Sequence, residues 1–99
     1  MKIIGFELIK GFIGQHSDSE SSLNSWYKTA RKANWKTIVE VKQTYRHADA
    51  VGICTVFNIK GNHYRLITLI DYHKHRILIR SVLTHAEYDK EKWKKDCGR

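Results

Sequence analysis

Three runs in the second half of the chain, ICTVFNI, YRLITLI and RILIRSVL, are rich in apolar and β-branched residues. They are separated by the polar stretches KGNH and DYHKH. That alternation predicts three short strands, and Gly61-Asn62 offers the left-handed positions of a tight hairpin, so an antiparallel meander follows. Lys2 to Ile9 also reads as a strand, added at one edge of the sheet. Between them the period changes. Leu23, Trp26, Tyr27 and Ala30 recur at helical spacing and form one apolar stripe. Ser17 and Glu20 precede it with the spacing of a capping box. Asn34 is placed to cap a second helix carrying Ile38, Val41 and Tyr45, with Trp35 at its start. Arg46 to Gly52 is polar and without a regular pattern, a loop. At the other end, Thr84 and Glu87 in THAEYD again have capping-box spacing and predict a short terminal helix. The expected order is β-α-α-β-β-β-α. The class is α+β, with two N-terminal helices packed on one face of a mainly antiparallel four-stranded sheet, in one domain spanning residues 1–99.

Composition sharpens this picture in three ways. A chain of 99 residues closes a single core, and 41% hydrophobic residues suit an ordered protein. Eighteen Lys and Arg against ten Asp and Glu give a net charge of +8, which seeks a polyanion, most commonly nucleic acid. A membrane is the rival, but no apolar run approaches the roughly 20 residues of a span, and no basic amphipathic helix of convincing length appears. The start, MKIIGFELIKGF, is interrupted by Glu7 and Lys10 and lacks a small-residue cleavage site, so it reads as a strand and not as a signal peptide. Cys54 and Cys97 lie far apart, one in a strand-like run and one in a polar tail. Neither suggests a disulfide framework, and the cytoplasm is the expected compartment.

The charge is concentrated. From Lys60 to Arg80 there are five basic side chains, Lys60, Arg65, Lys74, Arg76 and Arg80, and one acid, Asp71. Alternation puts Tyr64, Leu66, Thr68 and Ile70 on one face of their strand, and Arg65, Ile67 and Leu69 on the other. In the next strand it groups Arg76, Leu78, Arg80, Val82 and Thr84 opposite Ile77, Ile79, Ser81, Leu83 and His85. Strict alternation puts Arg80 and His85 on opposite faces, but the helix starting at Thr84 breaks it, which leaves open their convergence at the strand's end. An arginine flanked by apolar residues on a half-buried strand needs an anion, either a carboxylate or a phosphate. With two such arginines and so few acids nearby, an external anion is favoured. On the terminal helix His85, Tyr88, Asp89 and Lys92 follow helical spacing to one side, and Asp89 is read as complementing the helix dipole. His63, His73 and His75 lack the cysteine pair or HExxH pattern of a zinc site, so no metal is expected. No phosphate-binding glycine loop or nucleophile elbow is present.

VFNIKGNHYRLI followed by IRSVLTHAEYDK resembles the HigB toxins, a RelE-like family of bacterial type II toxin–antitoxin systems. WYKTARKANWKT and the VKQTY segment are similar to that family's helical part. The resemblance implies a RelE-like microbial RNase fold and an mRNA interferase, an endoribonuclease that cuts mRNA, usually in the ribosomal A site, with no cofactor. It also implies a HigA-type helix-turn-helix antitoxin as partner, with operator DNA reached only through that antitoxin. Metal-independent cleavage by the RNA 2′-hydroxyl needs a base, an acid and a cation for the phosphorane. Arg65 is the first choice for the cation, with Arg80 beside it and Lys60 assisting. His85 is the candidate base or acid, since histidine titrates near neutrality, and Tyr88 orients it or stacks on a base. Asn62, His63, Tyr64, Lys74, Arg76 and Lys92 are the candidate RNA contacts. The alternative reading is a non-catalytic RNA- or ribosome-binding module with the same charge.

Overall fold

In the computed structural model, which describes residues 1–98, the three expected meander strands form where the pattern put them. They are β3 (Cys54–Ile59), β4 (Tyr64–Asp71) and β5 (Arg76–Thr84). The sheet has five strands and not four. The polar stretch read as a loop contains β2 (Asp49–Val51), which pairs antiparallel with β3. The first strand, β1 (Lys2–Ile4), runs parallel to β5 at the opposite edge, giving the order β1-β5-β4-β3-β2. Asp49-Ala50-Val51 is too short for any alternation to register, and it becomes a strand because β3 offers it an edge.

The apolar start is a strand for only three residues. At Gly5 the backbone enters the left-handed region (φ +99°), and a Cβ there would lie 3.1 Å from Cβ of Ile79. Only glycine fits both conditions, so the chain leaves β1 and enters α1 (Phe6–Gln15). Within α1, Ile9 is fully buried, with Phe6, Phe12 and Ile13 packed around the same core. The run FELIKGFI is as compatible with a helical stripe as with a strand, and Gly5 decides between them.

Helix α2 (Glu20–Lys32) buries Leu23, Trp26 and Ala30 as its stripe predicts. Its start differs from expectation: Ser17–Ser19 is a 3-10 turn, and no side chain caps the helix. Thr37, not Asn34, caps α3 (Ile38–Thr44), accepting from the Glu40 amide. The helices cover one face of the sheet, where Trp26, Trp35, Val41, Phe57, Leu66, Ile77 and Ile79 share one buried cluster. No helix among the described residues is long and apolar enough to cross a membrane.

The other face is not an open basic surface. A terminal helix, α4 (His85–Asp89), and a 3-10 helix, Lys92–Cys97, fold back across it. They enclose a second core of Val51, Cys54, Val56, Ile67, Trp93 and Cys97. Cys54 and Cys97 are joined by a disulfide, contrary to expectation. This removes the support that unpaired cysteines lent to a cytoplasmic location. The pairing follows from the fold-back of the tail, for which cysteine spacing carries no signature.

Strict alternation also fails in β5. The register slips between Ile67 and Thr68, which pair with Ser81 and Ile79, so that Arg80 is left over as a bulge. Ile77, Ile79 and Val82 therefore all join the helix-covered core. Val82 does not share a face with Leu78, and Leu83 joins the second core. A bulge inserts one residue and resets the alternation beyond it.

Candidate functional site

The β4–β5 end nearest α4 carries the densest chemistry. α4 starts as the sequence indicates, with both arms of a capping box present. The Glu87 amide donates to Thr84 Oγ1 at 3.2 Å, and the Thr84 amide donates to Glu87 Oε1 at 3.0 Å. This ends β5 at Thr84, opposite Tyr64, and sets Arg65 opposite Leu83.

Arg65 is only 9% exposed. Its Nη1 donates to the carbonyls of Asn62 (2.9 Å) and Tyr64 (3.2 Å). Its guanidinium carbon lies 4.9 Å from the centre of the Tyr88 ring. Tyr88 in turn stacks on Trp93, with centroids 5.0 Å apart and planes 13° from parallel. The Trp93 indole N–H donates to the Tyr88 carbonyl at 2.9 Å. Among the described residues no carboxylate pairs with Arg65. Carbonyls and a ring face orient a guanidinium without neutralising it, so a nearly buried cation is held in place with its charge uncompensated.

His85 follows the cap on α4. Its Nδ1 lies 2.9 Å from Asp89 Oδ2, with the His85 side chain 53% exposed. A carboxylate at Nδ1 favours the tautomer with its proton there and leaves Nε2 free to take or give one. Asp89 is the last residue of α4, where a negative charge opposes the dipole. Its partner is the imidazole, so the dipole reading is corrected. Lys92 does not continue this face: the chain passes through a left-handed Glu91 (φ +60°), and Lys92 begins the 3-10 helix as an exposed residue.

Other candidates are placed elsewhere. Lys60 Nζ lies 2.8 Å from Asp18 Oδ2 on the 3-10 turn before α2, and the Tyr64 hydroxyl donates to Asp18 Oδ1 at 2.7 Å. Tyr64 packs on Phe12 and His16, on the helix-covered face and not beside Arg65. Asn62 hydrogen-bonds Asn58 through its side chain, and His63 Nδ1 lies 2.9 Å from the Lys60 carbonyl. The left-handed residues of this turn are Lys60 (φ 51°) and Gly61 (φ 63°), one position earlier than Gly61-Asn62. Arg80, turned by the bulge, reaches Asp96 at 3.5 Å. It stands three residues along the ladder from Arg65, about 10 Å. Lys74 and Arg76 lie around the β4–β5 turn, where Asp71 accepts the Lys74 amide and faces Arg76 across the ladder. That turn is about 20 Å from Arg65. Arg65, Tyr88 and the residue pair His85–Asp89 are thus grouped at one end of the sheet, with Asn62 and His63 in the adjoining turn.

Asp18, Asp89 and Trp93 were not singled out as site residues by sequence. His85 and Asp89 have i, i+4 spacing, a readable signal. Asp18 and Trp93 carry none, because each contact depends on the fold.

Hydrogen bonds from Lys60 and then Tyr64 hold the Asp18 carboxyl below the usual carboxylate range, and the bond to Asp18 raises the Tyr64 phenol. A carboxyl lowered in the folded state adds stability above its ordinary value, near 3.9, and loses it as pH falls through the lowered value. A raised phenol adds stability below its ordinary value and loses it as pH rises through the raised one. Thermal unfolding of wild type should therefore fall away faster than that of Asp18→Asn in acid. The phenol absorbance of Tyr64 should titrate later in wild type than in Asp18→Asn. Equal phenol titrations would show that the clasp does not form in solution.

A family model described as HigB_toxin, RelE-like toxic component of a toxin-antitoxin system, matches residues 19–91. The matched span covers α2 through α4 and the whole β3–β5 meander, and the α+β architecture is consistent with a RelE-like fold. β1, α1, Trp93 and Cys97 lie outside it. No curated protein gives a significant match.

Proposed function

Because this chain belongs to the HigB family of RelE-like toxins, the toxic component of a toxin–antitoxin system, we propose that it is an endoribonuclease, an mRNA interferase. Its substrate is mRNA on the translating ribosome in the cytoplasm, and a HigA-type helix-turn-helix antitoxin neutralises it. The observation that carries this reading is Arg65, nearly buried, laid on the Tyr88 ring and paired with no carboxylate among the described residues. A cation fixed in this way suits a phosphate that arrives from outside.

Cleavage starts when the RNA 2′-hydroxyl attacks its own 3′-phosphate. The hydroxyl loses its proton, a pentavalent phosphorane forms, and the 5′-oxygen of the next nucleotide leaves as it gains a proton. Products are a 2′,3′-cyclic phosphate and a free 5′-hydroxyl. Arg65 stabilises the charge on the phosphorane, in place of a metal ion. His85, oriented by Asp89, transfers a proton through Nε2. Tyr88 supports Arg65 from below. Lys60 is committed to Asp18 and Arg80 to Asp96, so neither is assigned a proton. Asn62, His63 and Lys92 contact the RNA near the cut. Lys74 and Arg76, at the far turn, contact a more distant part of the RNA or the ribosome.

Arg65→Lys tests the cation. Lysine keeps the charge but loses the fork and the flat contact with Tyr88. Single-turnover cleavage on programmed ribosomes should fall by about two to three powers of ten, the scale for one transition-state donor. Arg65→Ala also empties a buried position, so its melting temperature must be read beside its rate. If wild type arrests growth and creates no new RNA 5′-ends, the protein is a binding module and not a nuclease.

A further inference from the structure

We propose that the cleft between the Tyr45–Ala48 turn and the β3–β4 turn is a subsite for one unpaired RNA base, next to the phosphate at Arg65. This rests on the reading that the chain acts on RNA, and names how that substrate is selected. The cleft has a volume of about 470 Å³, within the usual range of small-ligand sites. Tyr45, Arg46 and His47 line one side, and Asn58, Gly61 and Asn62 the other. Both turns are closed by backbone hydrogen bonds, Ala48 to Tyr45 at 2.9 Å and His63 to Lys60 at 3.2 Å.

Asn58 joins the cleft to the Arg65 site. It is the cross-strand partner of Arg65 in the β3–β4 register, and directly opposed side chains start about 5 Å apart. Asn62 makes a second link, because its carbonyl accepts from Arg65 while its side chain faces Asn58. The cleft therefore adjoins Arg65 through both Asn58 and Asn62.

The lining groups suit a base. Asn58 Nδ2 donates to Asn62 Oδ1 at 3.1 Å. Among the described residues nothing else takes up Asn58 Oδ1 or Asn62 Nδ2, leaving one acceptor and one donor side by side. That is the complement of a base edge, which presents donors and acceptors in adjacent positions. Among the described residues no acid lines the cleft. Arg46 and His47, exposed at the tip of their turn, make no ion pair among the described residues. They give the mouth the positive charge that a nucleotide's phosphate needs. Sequence alternation gave no hint of this: Arg46 and His47 fall in a stretch without pattern, and β2 brings it beside β3.

The test uses pentamers of U, A, C and G with the full chain, by fluorescence titration at two salt concentrations, alongside mapping of cut sites on programmed ribosomes. Wild type should prefer one pentamer by about tenfold or more, the scale of one paired base edge. Asn58→Ala should erase that preference and flatten the base distribution at the cut. Arg46→Ala should weaken all four pentamers alike and lower the salt slope by about one. If Asn58→Ala does not fold, Arg46→Glu at the exposed turn decides, with an expected loss of more than tenfold for every pentamer. Wild type that binds selectively through Asn58 yet cuts no message removes the nuclease and keeps the subsite. Wild type that cuts, with Asn58→Ala sharing its base preference, removes the subsite and keeps the nuclease. Variants that spare RNA binding but weaken the antitoxin complex show an acidic protein segment in the cleft, and overturn the proposal.

Discussion

His85→Ala should slow single-turnover cleavage by about two to four powers of ten while the protein stays folded. The fold has little to lose at this position. The side chain is more than half exposed, and its hydrogen-bonding partner is Asp89, one turn along the same short helix. An exposed pair of this kind adds little stability. Two variants separate chemistry from architecture. Thr84→Ala removes one arm of the capping box and should cost about 1 kcal/mol in unfolding experiments, with little effect on rate. Asp89→Asn leaves the imidazole in place but removes the carboxylate at Nδ1, so cleavage should drop while melting barely moves. Normal cleavage by His85→Ala would remove histidine from proton transfer and reduce THAEYD to a helix start. Tyr88 would then inherit the task, since Lys60 is occupied by Asp18.

Replacing Cys54 and Cys97 together by serine should lower stability by about 4 kcal/mol, within a usual span of 2–5. The magnitude follows from the loop: the cysteines are 43 residues apart, and the bridge removes that loop's freedom from the unfolded chain. A second consequence reaches the site. The bridge fastens the 3-10 helix to β3, and that helix presents Trp93, on which Tyr88 stacks, under Arg65. The indole N–H resonance of Trp93 should shift toward its solvent-exposed position when the bridge is lost. Cleavage should fall further than the unfolded fraction explains. The same comparison can be made between oxidised and reduced wild type. Unchanged melting and an unchanged Trp93 resonance after reduction would rule out this role for the bridge.

Much of the fold was legible because it depends on short-range periods. The β-rich runs ICTVFNI, YRLITLI and RILIRSVL, bounded by polar turns, located β3, β4 and β5, and the Leu23–Trp26–Ala30 stripe located α2 and its buried face. The cap of α4 was readable because Thr84 and Glu87 are three residues apart, so both hydrogen bonds close within one turn. The site was partly legible for the same reason. A charged residue inside an apolar run stands out, which singled out Arg65, and His85 sits in a dense local cluster.

The rest was decided between residues distant in sequence. FELIKGFI suits a strand or a helix, and the contact of Gly5 with Ile79 selects the helix. The bulge at Arg80 comes from how β5 fits β4, and it breaks the alternation by which faces are read from sequence. The Cys54–Cys97 bridge, the Asp18 clasp on Lys60 and Tyr64, and the Trp93–Tyr88–Arg65 stack join segments whose separation carries no signature. A local pattern records what each residue needs from its neighbours along the chain, a helical turn or a pleat. Which carboxylate, ring or sulfur it meets across the fold depends on how the layers close. Sequence alone therefore determined the meander, the stripe of α2, the cap of α4 and the basic character of the chain. Tertiary structure alone decided that Arg65 rests on an aromatic stack with no carboxylate paired to it among the described residues, because that stack exists only once the tail has folded back over the sheet.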